Sequence, residues 1–193
     1  PPGAPRAWAG ADLGLIGDQF AILHVGRFMP QKNHRFLIEA FSEVARRRPD
    51  AVLLLVGAGG AEALVEGWVA ERGLTDRVMF LGQRDDVERL YMAADAFCLP
   101  SLYEGLCLVG VEAQATGLPC FLSDRITREV DVTGIVRFLP IDNPAIWAYA
   151  MCEIEPVARL AIDRAGFADY DIERAAKKLT ARYLELGKEL QHG

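Results

Sequence analysis

Glu104 and Glu112 stand eight positions apart in P-S-L-Y-E-G-L-C-L-V-G-V-E-A-Q-A-T-G-L-P, residues 100–119. Two carboxylates so close in sequence raise the question of acid–base work on one bond. The stretch reads as a strand end (95–99), a turn (100–105), a helix over 106–117 and a strand over 119–122. If it is helical throughout, a rise of ~1.5 Å per residue sets the carboxylates ~12 Å apart. A pair acting on one glycosidic bond needs ~5–9.5 Å. The spacing suits two ends of one elongated ligand. Gly105 permits an unusual backbone conformation beside Glu104. The N–H groups of Gly105, Leu106, Cys107 and Leu108 would face an anion seated at the helix mouth. Glu112 can accept both hydroxyls of a vicinal diol such as ribose. Its small apolar neighbours Val109, Val111, Ala113 and Ala115 favour a partnered carboxylate over a dangling one.

Three further stretches carry candidate chemistry. In H-V-G-R-F-M-P-Q-K-N-H, residues 24–34, Gly26 ends a strand, and Arg27 and Lys32 follow in the turn into a helix that Asn33 is placed to cap. Two cations at a strand's carboxyl end make a site for a phosphate or another anion, or else two solvated loop residues. In V-G-A-G-G-A-E, residues 56–62, Gly57 follows a buried strand, which allows a tight turn or a close approach to a ligand. This is neither a phosphate-binding G-x-x-x-x-G-K-[ST] loop nor a complete G-x-G-x-x-G. In F-L-G-Q-R-D-D-V, residues 80–87, Asp85 and Asp86 read as N-cap and first-turn residues rather than metal ligands. Gln83 and Arg84, beside Gly82, lie where a flat base could stack. His24 on a strand and His34 in a first helical turn have no metal-ligand companions and read as structural.

The elements that must position these residues alternate regularly. Strands are expected over 21–26, 52–57, 78–81, 96–99, 119–122 and 135–139, and helices over 33–48, 61–73, 86–94, 106–117, 144–153, 156–166 and 171–190. Short apolar strands such as A-V-L-L-L-V are buried on both faces, as in parallel sheets. Separated by helices, they form βαβ units and a doubly wound, mainly parallel sheet of about six strands. Ligands bind beyond the carboxyl ends of such strands, where every stretch above is located.

Bulk composition narrows the function further. The net charge is −6, from 21 Lys and Arg against 27 Asp and Glu, with no basic face of the kind nucleic acids require. No apolar run approaches the ~18 residues of a membrane span, and no signal peptide pattern opens the chain. Arg46-Arg47-Arg48 closes a helix, where cations complement the dipole; the alternative is a weak contact with an anionic membrane surface. Cys98, Cys107, Cys120 and Cys152 show no C-x-x-C spacing, Cys98 and Cys120 read as buried strand residues, and a reducing cytoplasmic setting is the default. Residues 1–19 read as a linker, and 20–193 as one domain with C-terminal helices.

R-x-x-x-x-K, the glycines after the second strand, F-L-G-x-R-D-D-V, P-S-x-x-E-G and E-x7-E occur in this order. With these motifs the chain resembles the GT-B retaining glycosyltransferases of the GT4-like group, over about residues 20–141. The stretch E-A-Q-A-T-G-L-P-C-F-L-S-D-R-I-T-R-E-V looks most like bacterial capsular or exopolysaccharide enzymes. The resemblance implies the donor-binding, Rossmann-like half of a GT-B fold. Arg27 and Lys32 would bind the donor diphosphate, Glu104 the donor sugar and Glu112 the ribose. Gln83 and Arg84 would receive the base, with Gly26, Gly57, Gly105, Leu106, Cys107 and Leu108 lining the pocket. It further implies no metal and no cofactor, a nucleotide-diphosphate sugar as substrate with UDP-sugar favoured, and a glycan or lipid-linked acceptor held by a missing N-terminal domain. The expected location is cytoplasmic, with peripheral contact at the inner face of the membrane left open. A non-catalytic nucleotide-sugar binding module and a GT-B-like nucleotide-sugar epimerase are the alternatives. Two departures stand out: Leu106-Cys107-Leu108 replaces F-G-L, and S-D-R-I-T-R-E-V replaces a glycine-rich G-x-x-E-x-V, which leaves the role of Glu129 open.

Overall fold

A computed structural model describes residues 19–156 and 159–170. Six strands, β1 (Phe20–Val25), β2 (Ala51–Val56), β3 (Val78–Phe80), β4 (Ala96–Leu99), β5 (Cys120–Ser123) and β6 (Val136–Leu139), form one sheet in the order β3-β2-β1-β4-β5-β6. Every neighbouring pair is parallel. This is the expected doubly wound α/β sheet. β1 pairs with β2 on one side and β4 on the other, so the winding reverses between β1 and β4, and the crevice of such a sheet opens at that point. β2 is buried at all six positions, as its uninterrupted apolar run requires.

Five helices cover the sheet: α1 (His34–Arg47), α2 (Glu62–Glu71), α3 (Val87–Ala93), α4 (Leu108–Ala115) and α5 (Pro144–Cys152). α1 is the most amphipathic in appearance. His34, Leu37, Ile38, Phe41, Val44 and Ala45 recur at helical spacing and are buried. Each large apolar side chain so buried contributes about 1.5–3 kcal/mol. The helix packs against α5, where the Phe36 and Trp147 rings meet edge to face at 5.6 Å and the Trp147 indole N–H donates to the Pro140 carbonyl. Its basic end is structural. Arg46 and Arg47 both pair with Glu43, and Arg48 lies over the Phe20 ring and donates to the Ile154 carbonyl. The Arg77 guanidinium holds the same end against β2 by donating to the carbonyls of Ala45, Arg48 and Ala51. Asp95 joins β1 to β4: it is fully buried and its carboxylate accepts from the Ala21 amide at 2.8 Å.

Three expectations need correction. Asn33 stands at the α1 N-cap position with φ 54°, but its side chain donates to the Pro100 carbonyl and caps nothing. Asp86 precedes α3 without capping it, because its carboxylate is held by Arg84. Of the helix expected over 156–166, only 164–166 are helical among the described residues, as the start of a 3-10 segment. Residues 159–163 are irregular, since the Arg159 guanidinium donates to the carbonyls of Tyr91, Met92 and Ala94 and the Leu160 amide donates to Gly117. One compact unit ends at Ile162 and another begins at Asp163. The described part of the second is a 3-10 segment, Arg164–Tyr170, opened by Asp163, whose carboxylate accepts from the Ala165 amide. The helix expected over 171–190 and the linker expected over 1–19 (Gln19 apart) lie outside the described residues. No helix among the described residues is long and apolar enough to cross a membrane.

Candidate functional site

The carboxyl ends of β1, β2 and β3 are tied edge to edge. The Gly26 amide donates to Val56, Phe28 to Ala58, and Gly57 to Gly82. Gly57 has φ 139°, and a Cβ there would stand 2.2 Å from the Gly26 oxygen. At Gly59 a Cβ would lie 2.4 Å from the Phe28 oxygen. These glycines therefore let the β2–α2 loop press onto the β1–α1 loop, which is the tight-turn alternative for the V-G-A-G-G-A-E stretch.

Across the switch point a second set of bonds joins the β1–α1 turn to the loop after β4. The Gln31 carbonyl accepts from the Leu102 amide, and the Gln31 side-chain amide donates to the Tyr103 carbonyl at 2.8 Å. Lys32 Nζ reaches Glu104 Oε1 at 2.7 Å, with side-chain exposures of 13% and 9%. To do so the lysine stem crosses Gly26, where a Cβ would meet Lys32 Cε at 3.0 Å. Arg27 is exposed, and no described residue pairs with it. Lys32 and Glu104 thus meet at the switch point, while Arg27, on the same turn as Lys32, is exposed.

The helix carrying Glu112 starts later than its sequence suggests. Cys107 is the N-cap and α4 begins at Leu108, so Glu104 and Gly105 lie in the loop and not at the helix mouth. The Leu108 amide already donates to Leu106, and those of Gly110 and Val111 to Cys107, so the expected open row of amides is partly closed. Gly105 does not adopt a positive φ, and a Cβ there would meet open space. What it provides is clearance. Cys107 points inward: it is buried, and a Cβ on Gly110 would lie 3.2 Å from its sulfur. Burial pushes its thiol up to about 11, so it stays protonated at neutral pH. The residue that departs from F-G-L therefore fills core space, while Leu106 and Leu108 on either side are exposed. Glu112 lies on the outer face of α4, and its Oε2 accepts from the Tyr91 hydroxyl at 3.0 Å. Sequence reading did not single out Tyr91 as a partner of Glu112, because its spacing on α3 reads as core.

At the end of β3, Gln83 is exposed, and Arg84 makes a two-pronged pair with Asp86 at 2.8 and 2.9 Å. The Arg84 guanidinium holds the Asp86 carboxyl below its usual range. Glu129 is exposed on the 3-10 turn Arg128–Val130.

Beneath Lys32 lie two buried histidines. His24 Nδ1 donates to the Cys98 carbonyl at 2.9 Å, which leaves Nε2 as a lone-pair acceptor. His34 meets it edge-on at 4.8 Å and stacks on Phe28 at 4.6 Å. Neither Nε2 has a hydrogen-bond partner, and the buried Ser101 hydroxyl is in the same condition. Burial, with Lys32 nearby, pushes His34 down to about 4, and burial lowers His24 well below its ordinary value, with His34 and Lys32 adding to it. Unfolded histidine takes a proton near pH 6.5, so between that pH and about 4 the unfolded chain binds more protons and stability falls on acidification. Lowering the pH from 7 to 5 should remove about 2–4 kcal/mol of unfolding free energy, at about 1.4 kcal/mol per unit per histidine. Urea melts at the two pH values test this, and an unchanged midpoint would refute it. Among the described residues no group of three or more His, Cys, Asp or Glu side chains is placed to hold a metal ion.

Comparison with known proteins bears on the family and the fold. Residues 10–133 match the profile of the glycosyl transferases group 1 family. The putative glycosyltransferase EpsF of Bacillus subtilis is 39% identical over 153 residues, 78% of this chain and 38% of that protein. The UDP-Gal:alpha-D-GlcNAc-diphosphoundecaprenol alpha-1,3-galactosyltransferase of Escherichia coli is 39% identical over 115 residues, 58% of this chain. This chain spans 38% and 30% of the lengths of those two relatives. Among solved structures, sucrose-phosphate synthase from Thermosynechococcus elongatus superposes with a TM-score of 0.75 at 30% identity, over 97% of this chain and 49% of that one. Anabaena HepE in complex with UDP and glucose superposes at 0.68 with 23% identity, over 78% and 42%. The sheet is one Rossmann-like half of a GT-B fold. On the family match and these identities, the chain belongs to the glycosyl transferases group 1 family.

Proposed function

We propose that this chain is the donor-binding domain of a retaining glycosyltransferase that moves a sugar from a nucleotide diphosphate onto a glycan or lipid-linked acceptor. The observation that carries the reading is the meeting of Lys32 and Glu104 across the β1–β4 switch point, with Arg27 exposed on the same turn as Lys32. Arg27 and Lys32 receive the diphosphate, Glu104 the sugar hydroxyls, Glu112 the ribose, and the Gln83–Arg84 corner the base. Gly26, Gly57, Gly105, Leu106 and Leu108 form the walls, with Cys107 buried behind them. In the reaction the bond from the anomeric carbon to the leaving phosphate oxygen breaks and its electron pair stays on the diphosphate. The acceptor hydroxyl oxygen then bonds to that carbon on the same face, and its proton passes to the departing phosphate oxygen. Arg27 and Lys32 offset the negative charge as it grows on the β-phosphate, without a metal ion or cofactor.

A UDP-sugar is the favoured donor, supported by the UDP named in the galactosyltransferase relative and in the HepE complex. The acceptor is held by a further domain of the longer protein, at the cytoplasmic side of a membrane where polysaccharide precursors are built. Calorimetric titration of the chain with UDP, GDP and ADP tests the donor site. One of them, UDP first, should bind with a dissociation constant in the micromolar to submillimolar range. Glu112→Ala should weaken that binding about tenfold, as expected for charged hydrogen bonds, and leave the melting temperature within a few degrees. Failure of all three nucleotides to bind at millimolar concentration would sink the donor-site reading.

A further inference from the structure

Glu112 has an unusual setting for a residue that must receive two hydroxyls with fixed geometry. It lies on the exposed side of α4, and the one side-chain hydrogen bond it makes among the described residues is the 3.0 Å contact from the Tyr91 hydroxyl. An exposed glutamate without a partner turns through many rotamers, and a ligand would have to immobilise it on binding. Tyr91 is the opposite kind of residue. It is 2% exposed, on α3, with its ring edge-on to Phe97 of β4 at 5.9 Å. The carbonyls of Tyr91, Met92 and Ala94, at the end of the same short helix, are gripped by the Arg159 guanidinium at 3.2, 2.6 and 2.9 Å. A rigidly held phenol thus reaches a mobile carboxylate.

We infer that Tyr91 is a positioning residue for nucleoside recognition: its hydroxyl sets the Glu112 carboxylate in the orientation that accepts the two ribose hydroxyls. The inference rests on the assignment of Glu112 to the ribose. A carboxylate offers two oxygens and about four lone-pair sites. Tyr91 takes one on Oε2 and leaves the others for two O–H donors. The phenol can serve only as a donor to Glu112, because burial and the carboxylate itself push its ionisation far above the ordinary range. Tyr91 need not touch the nucleotide. Its effect is confined to the part of the ligand that Glu112 reads.

The test is a comparison of UDP with 2′,3′-dideoxy-UDP, titrated calorimetrically into the full chain and into Tyr91→Phe, Glu112→Ala and the double variant. The wild-type chain should prefer UDP about tenfold or more, the size of lost charge-assisted hydrogen bonds. Tyr91→Phe should weaken UDP about 3–10-fold and leave dideoxy-UDP unchanged, so the preference collapses. Adding Tyr91→Phe to Glu112→Ala should change nothing further. The preference is a ratio read on folded molecules, so a loss of stability in Tyr91→Phe does not mimic the result. A wild-type preference retained in Tyr91→Phe overturns the positioning role while the ribose assignment stands. Equal weakening of both nucleotides, or a further loss in the double variant, overturns it too, since Tyr91 would then act elsewhere. A wild-type chain that binds both nucleotides equally, or does not bind UDP, removes the ribose assignment and the inference together.

Discussion

Arg27→Ala should slow sugar transfer by the complete enzyme about 10²–10³-fold, the usual loss when one preorganised donor to a developing anion is removed. The reason lies in how the two cations differ. Lys32 is matched by Glu104 at 2.7 Å, whereas Arg27 is exposed and unpaired among the described residues. On the donor-site reading Arg27 therefore offers its full charge and its planar set of donors to the diphosphate. Charge on the leaving phosphate increases as the anomeric bond loosens, so the larger part of the loss should appear in kcat and a smaller part in KM. Arg27→Lys should recover only part of the rate, because an ammonium cannot make the two-pronged contact. Steady-state kinetics of the three proteins decide the matter. A variant with a near-normal kcat would remove Arg27 from the reacting centre.

Gly57→Ala should destabilise the fold by about 3 kcal/mol or more, through a backbone conformation closed to L-residues together with overpacking. Its φ is 139°, and an added methyl would sit 2.2 Å from the Gly26 oxygen and 2.8 Å from the Gly26 carbonyl carbon. Those are backbone atoms and cannot rotate away. Relief requires the β1–α1 loop to move, and that loop carries Arg27 and Lys32. The variant should therefore lose nucleotide affinity as well as stability. Gly60 is the control, since a Cβ there meets nothing within 4 Å. Gly60→Ala should stay within about 0.5 kcal/mol of wild type. Denaturant midpoints measured side by side check both. Equal midpoints for Gly57→Ala and wild type would mean that the two loops are not interlocked in solution.

The sheet was legible because its strands announce themselves. An uninterrupted A-V-L-L-L-V between turn residues can only be buried on both faces, and β2 is buried throughout. Alternation with helical stretches then dictates parallel pairing, and parallel pairing brings the strand ends together. That is why Arg27 and Lys32 could be placed on one rim with Glu104, more than 70 positions further along the chain. What stayed hidden depends on contacts no local window contains. Leu102 and Tyr103 bond back to Gln31, which holds their loop extended and delays α4 to Leu108. The capping rule at Asp86 lost to Arg84 two residues earlier, since a two-pronged charged pair is stronger than one bond to an amide. The helix proposed after residue 156 gave way where Arg159 spends its donors on three carbonyls of another segment. Tyr91 looked like core, and it is core; only its hydroxyl reaches out to Glu112.

Lys32 has a counter-ion of its own in Glu104. On the donor-site reading, an incoming diphosphate does not meet a bare ammonium but displaces a resident counter-ion, so its affinity is the difference between two anions competing for one lysine. The displaced Glu104 carboxylate, only 9% exposed, then needs a new donor. An intact sugar donor brings hydroxyls to that place. A spent nucleotide diphosphate does not, and leaves Glu104 pulling Lys32 back. The asymmetry favours substrate over product before any chemistry occurs, and turns the return of one ion pair into part of product release.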